Sequence, residues 1–111
     1  MIKVRLSTEA ARDLDQIKEY ITTDLDNPTA ANRVIATITK RIGKLSDFPE
    51  LGVSLSAILP IQTDYRLLVC GNYLAFYLYE QNEILVDRVL YGKRDFAKVL
   101  FGEQLEPENG E

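Results

Sequence analysis

The sequence predicts one α+β domain, a helical hairpin packed on one face of a mostly antiparallel sheet, in the order β-α-α-β-β-β with a closing helix or extended clip. Three observations predict it. Residues 2–6 alternate Ile2, Val4 and Leu6 against Lys3 and Arg5, the period of a half-buried strand with a basic outer face. Two stretches with apolar residues at helical spacing follow, joined by a break of only a few residues. The second half is then a series of β-rich runs separated by short turn signals.

Each element has a local cause. Ser7 or Thr8 caps the first helix, and Glu9 lies in its first turn, where the helix dipole favours an acid. Ala10, Leu14, Ile17 and Ile21 form its core stripe, with Tyr20 alongside; Arg12, Asp13, Asp15, Lys18 and Glu19 take the water side. Leu25-Asp26-Asn27-Pro28 breaks the helix, and Asn27 before Pro28 suits the cap of a second. That helix carries Ala31, Val34, Ile35, Ile38, Ile42 and Leu45 on one stripe and ends near Asp47-Phe48-Pro49. Lys40, Arg41 and Lys44 read as a solvated face. Residues 53–61, 65–70, 74–79 and 84–91 read as strands joined by Gln62-Thr63-Asp64, Gly71-Asn72 and Glu80-Gln81-Asn82-Glu83. Residues 94–101 close the domain, and residues 103–111 read as an acidic, disordered tail, leaving 1–102 as the folded unit.

Composition narrows the function. The 111 residues, 46% hydrophobic and 27% charged, suit a single globular domain. The formal charge of −4 resides in Glu103, Glu106, Glu108 and Glu111, which follow Gly102; residues 1–102 hold thirteen acids and thirteen bases. There is no histidine, which excludes a Ser-His-Asp triad, a His-based metal site and imidazole acid–base chemistry. Neither a cofactor nor a metal is called for. Cys70, the single cysteine, lies in an apolar run and reads as a buried, inert thiol of a reducing, cytoplasmic protein. No apolar stretch reaches the roughly 20 residues that a membrane span requires.

Several residue strings go further. They are Ala10-Ala11-Arg12-Asp13-Leu14 continuing to Tyr20-Ile21, Asn27-Pro28 with Ala30-Ala31, and Leu45-Ser46-Asp47-Phe48-Pro49-Glu50-Leu51-Gly52. Further on come Tyr65-Arg66-Leu67-Leu68-Val69, Gly71-Asn72-Tyr73-Leu74-Ala75-Phe76-Tyr77, and Arg88-Val89-Leu90-Tyr91-Gly92-Lys93-Arg94-Asp95. In this order and spacing the chain resembles the RelE/ParE superfamily, the toxin halves of bacterial type II toxin–antitoxin pairs, over residues 2–102. The resemblance implies one scaffold with two activities. RelE-like members cleave messenger RNA on the ribosome with basic and aromatic residues on the open side of the sheet. ParE-like members bind and block DNA gyrase and have no hydrolytic site.

Cleaving RNA through its 2′-hydroxyl needs a base, cations at the phosphate and help for the leaving oxygen. On the RelE-like reading Arg66, Lys93 and Arg94 supply charge, Tyr91 stacks or donates a proton, and Glu80, Asp87 or Asp95 is the base. Arg66 and Arg94 match basic positions of that branch. It often carries another catalytic arginine after the tyrosine of Gly71-Asn72-Tyr73, where this chain has Leu74. On the ParE-like reading Arg66, Arg88, Tyr91 and Arg94 bind the target, and Tyr91 stands where many members have histidine.

The charge balance favours the second branch, because Arg66, Arg88, Lys93, Arg94 and Lys98 are offset by Asp64, Glu80, Glu83, Asp87 and Asp95. Structural readings stand beside these: Arg94-Asp95 as a surface ion pair or a lock between the last strand and the closing segment, and Tyr73, Tyr77 and Tyr79 as aromatics packing on one sheet face. Arg66, an unpaired cation on a strand apolar on both sides, needs a partner or a purpose. The implied partners are a cognate antitoxin in a hetero-oligomer and gyrase, or else the ribosome and mRNA. A third reading is a non-toxic, regulatory, partner-binding member. The tail is also expected to weaken the Lys93-Arg94 region electrostatically.

Overall fold

The computed structural model describes residues 2–102; the acidic tail lies outside the described residues. The order is β1 (Lys3–Leu6), α1 (Thr8–Glu19), a π-helical turn (Tyr20–Asp24), α2 (Pro28–Gly43), a 3-10 turn (Lys44–Ser46) and β2 (Val53–Ser54). A second 3-10 turn (Leu55–Ala57), β3 (Arg66–Cys70), β4 (Tyr73–Glu80), β5 (Glu83–Tyr91) and α3 (Phe96–Phe101) complete it. The sheet order is β1-β5-β4-β3-β2. β2 to β5 form an antiparallel meander, and β1 lies parallel to β5, with Lys3 opposite Glu83 and Leu6 opposite Val86.

Caps set the helices. Ser7 Oγ accepts from Ala10 N–H at 2.9 Å, so Ser7, and not Thr8, begins α1; the same hydroxyl donates to the Asp87 carbonyl at 2.7 Å and ties the helix start to β5. Asn27 Oδ1 accepts from Ala30 N–H at 3.1 Å, with Pro28 in the first turn of α2. Between them α1 widens into the π-turn, where Leu25 N–H reaches the Tyr20 carbonyl, and Asp26 at φ 51° reverses the chain. Gln81 and Asn82, both at positive φ, make the two-residue β4–β5 turn.

The hairpin buries Ala10, Leu14, Ile38, Ile42 and Leu45 against Leu68, Ala75, Tyr77, Ile84 and Val86 of the sheet. Tyr77 is buried there and Tyr73 and Tyr79 pack against the same cluster, so the three tyrosines do share one face. Cys70 is buried in it too, and desolvation pushes its thiol up to about 11. The opposite face carries a second core: Leu55, Phe76 and Leu90 are buried beneath Phe96, Val99 and Phe101 of α3. Ring contacts pin α3 at both ends, Phe76–Phe96 at 5.1 Å and Tyr65–Phe101 at 6.0 Å.

Four readings need correction. Residues 53–61 are not one strand: β2 stops after Ser54 because Leu55 turns in to fill the second core, and Ser56 Oγ bridges to Thr63. Asp13 is not on the water side but 7% exposed, paired with Arg88. Arg41 is not simply solvated, since its Nε donates to the Val69 carbonyl at 3.2 Å on the outer side of β3. Arg94-Asp95 is not an ion pair; Asp95 accepts from Lys98 N–H and caps α3.

Candidate functional site

The end of β5 and the tip of the helical hairpin face each other across a groove of about 640 Å³. One wall comes from α1, the π-turn and the start of α2, through Ile17, Tyr20, Leu25 and Val34; the other comes from Asn72, Tyr73, Tyr91 and Arg94. The sequence builds the second wall locally. Tyr91 pairs with Tyr73 across β4–β5, Gly92 N–H then bonds the Asn72 carbonyl at 2.8 Å, and Arg94 N–H bonds back to the Tyr91 carbonyl at 2.9 Å. That turn projects Lys93 and Arg94 to solvent, beside a Tyr73–Tyr91 edge-to-face pair at 5.6 Å. Burial, with smaller contributions from Tyr91 and Tyr20, raises the Tyr73 hydroxyl above its ordinary range, so it remains a neutral hydrogen-bonding group.

At the floor, Asp13 accepts from Arg88 Nε at 2.8 Å, Arg88 Nη2 at 3.0 Å and Val89 N–H at 2.9 Å. This bidentate pair, with the Val89 amide, ties α1 to β5 beside the groove. A bulge makes it possible. Tyr77 pairs with Val86 and Phe76 with Arg88, so Asp87 is the extra residue of β5. Asp87 accepts from the Tyr65 hydroxyl at 2.5 Å, while Arg88 reaches α1. Burial and then that bond to Asp87 raise the Tyr65 hydroxyl to about 12.

The candidates from sequence divide into two places. Tyr91 and Arg94 line the groove, with Lys93 beside them and Arg88 holding its floor. Arg66 is elsewhere. It pairs with Tyr77, while Tyr91 pairs with Tyr73, so the two sit on opposite sides of β4 and four residues apart along it. Strand geometry makes that roughly 13 Å along and about 10 Å across. Its guanidinium donates to the Gly52 carbonyl at 2.7 and 3.1 Å and to the Glu50 carbonyl at 3.3 Å, on the β2 side and away from Tyr91. There it borders a smaller polar cavity of about 240 Å³ with Glu50, Asp64 and Glu80. Leu74, on the other side of β4 from Tyr73, packs against the second core. Among the described residues no three His, Cys, Asp or Glu side chains cluster as metal ligands.

Asp13, Tyr20, Asn72 and Tyr73 are groove residues that the sequence reading placed in other roles. Asp13 had a legible signal: it is three residues after Ala10 and four before Ile17, on the edge of the apolar stripe.

Residues 4–96 match the family described as ParE toxin of type II toxin–antitoxin system, parDE. No curated protein shows significant similarity to the chain. Among solved structures it is similar to one titled as the chromosomal ParDE system from P. aeruginosa, at 22% identity and TM-score 0.68, covering 82% of this chain and 96% of that one. It is also similar to the RelBE2 toxin–antitoxin complex from Mycobacterium tuberculosis, at 21% identity and TM-score 0.60, covering 81% and 96%. At these identities the two structures speak for the RelE/ParE-like α+β fold. No helix among the described residues is long and apolar enough to cross a membrane.

Proposed function

Because the chain belongs to the family of ParE toxins of type II toxin–antitoxin systems, we propose that it is held silent by a cognate antitoxin and, once free, poisons the cell by binding DNA gyrase in the cytoplasm. The observation that carries this over RNA cleavage is the dispersal of the groups that cleavage needs. A base, a cation and a proton donor must meet within hydrogen-bond reach of one phosphate. Here Arg66 is engaged by two carbonyls, roughly 16 Å in backbone terms from Tyr91, and borders three acids that repel phosphate. Asp87 is taken by Tyr65, and Asp95 caps α3. The second core covers part of the sheet face that the nuclease branch leaves open.

The groove end of the domain has the opposite character. Tyr20, Tyr73, Tyr91 and Arg94 line the groove together with the apolar side chains of Ile17, Ile21, Leu25 and Val34, and aromatic and arginine side chains beside apolar ones are the usual anchors of protein recognition. Tyr91 and Arg94 are therefore the target-binding residues of this reading, with Arg88 positioning them and Arg66 holding the loop after α2.

The test is a gyrase supercoiling assay run beside a purified translation assay on the same antitoxin-free preparation. Supercoiling falls and translation continues; Arg94→Ala and Tyr91→Ala each weaken inhibition by about tenfold or more, the loss of one anchor. Cleaved message with supercoiling intact would replace this reading with the ribonuclease one. No effect in either assay would leave a partner-binding, regulatory member.

A further inference from the structure

We infer that Phe96 is a positioning residue for the turn that carries Arg94: its packing on the second core holds that turn where it meets the target. This rests on Arg94 being a target contact, and it adds what keeps Arg94 in place.

The turn has little of its own to hold it. β5 ends at Tyr91, and Gly92, Lys93, Arg94 and Asp95 are all exposed. Gly92 N–H bonds the Asn72 carbonyl and Arg94 N–H bonds the Tyr91 carbonyl. Among the described residues neither Lys93 nor Arg94 makes an ion pair that would add to these. The next fixed point along the chain is Phe96. Its ring lies 5.1 Å from that of Phe76, tilted by 35°, and Phe76 is fully buried on β4. Only Asp95 stands between Arg94 and that contact. The turn is thus pinned on two flanks, by the β4–β5 ladder before Gly92 and by the second core from Phe96 onward.

The helix cannot supply that fixity without the ring. α3 has 6 residues, far short of the length at which a helix holds by itself, so packing keeps it formed. Phe96, Val99, Leu100 and Phe101 pack against the second core, and none of them is itself buried. Phe101 serves the far end, against Tyr65, while Phe96 anchors the end next to the turn. Asp95 accepts from Lys98 N–H, a cap that orders α3 but does not tie it to the sheet. Removing the Phe96 ring therefore frees the backbone on both sides of it. Residues released in the free chain must be ordered again on binding, and ordering one backbone residue is worth about tenfold in affinity.

The test takes two readings on the purified full chain: amide nitrogen relaxation, which gives backbone order parameters, and inhibition of gyrase supercoiling. In Phe96→Ala the order parameters of Lys93 and Arg94 fall from about 0.85 to below about 0.6, and inhibition weakens about tenfold. Phe96→Leu, which keeps a large apolar side chain on Phe76, restores both. Phe96→Val falls between, so the series can be read even if alanine unfolds the chain. Ile42→Val alters the first core about 12 Å along α2 from Val34 of the groove. It lowers the melting temperature and leaves both readings as in the unsubstituted chain, so a loss of stability by itself does not reproduce the effect. Lys93 and Arg94 amides that stay rigid in the alanine and valine variants would overturn the inference. So would a leucine variant as loose as the valine one, an equal loosening in Ile42→Val, or a loose turn with undiminished inhibition. Failure of the unsubstituted chain to inhibit gyrase would instead strike the target, and the relaxation data would still decide whether Phe96 holds the turn.

Discussion

Breaking the Asp13–Arg88 pair from one side should be far more damaging than weakening it from both. Asp13 is 8% exposed in its side chain and Arg88 23%, and the carboxylate takes three N–H donors, two of them from the guanidinium. Arg88→Leu leaves that carboxylate buried with Val89 N–H alone, a situation that costs about 3–5 kcal/mol. Asp13→Asn keeps an oxygen for Val89 N–H and leaves an arginine that can reach water, so it costs about 1–2 kcal/mol. In the double variant the amide oxygen still serves Val89 and no charge is buried, and the total stays near about 2 kcal/mol. The pair thus couples by about 2–5 kcal/mol. Against a total stability of about 5–15 kcal/mol for a domain of this size, Arg88→Leu alone removes a large share and lowers the melting temperature by roughly 12–25 °C. Urea unfolding followed by far-ultraviolet circular dichroism at about 25 °C reads all three variants, with unchanged slopes as the condition for comparison. A cost below about 1 kcal/mol for Arg88→Leu, or a double variant equal to the sum of the singles, would refute the argument.

Three further outcomes are expected. Gly52→Ala destabilises by about 3 kcal/mol in the same assay, because a Cβ there would lie 2.6 Å from the Leu67 carbonyl oxygen and 2.9 Å from the Tyr77 ring, and the backbone of β3 has no room to yield. Tyr65, raised to about 12 in the fold, binds its proton more tightly folded than unfolded, so its contribution is complete below about pH 10 and is lost as pH rises from there toward 12. Tyr65→Phe should accordingly show a shallower alkaline loss of stability, and identical pH profiles would contradict the assignment. Cys70, its thiol raised to about 11, holds roughly a hundredfold less thiolate than an ordinary thiol near pH 8; it reacts with a disulfide reagent only as fast as the chain opens, and rapid labelling of the native chain would show that it is not buried.

Arg66 shows where reading by strings and spacing stops. Its place on a strand with apolar residues on both sides marked it as needing a partner, and that was sound. The partners are the Gly52 and Glu50 carbonyls, atoms that carry no residue-specific signal, brought there because Gly52 lacks a Cβ and can pass close beneath β3. Tyr91 and Arg94, by contrast, stay together because they lie on one short turn, and local chain geometry is enough to join them.

The local pattern of residues was enough to specify the cap at Ser7 or Thr8, the cap at Asn27, the stripes of the helical hairpin, the β3-β4-β5 meander and the family, because caps, periodicity and tight turns depend on neighbours a few positions apart. It did not reach the parallel place of β1 beside β5, the second core under α3, the ion pair between residues 75 positions apart, or the groove between the helical hairpin and the end of β5. Those arise only when distant segments share a surface. Asp13 reads as a solvated acid until β5 lies against α1, and its burial then follows from the arginine and the amide that the β5 bulge presents to it.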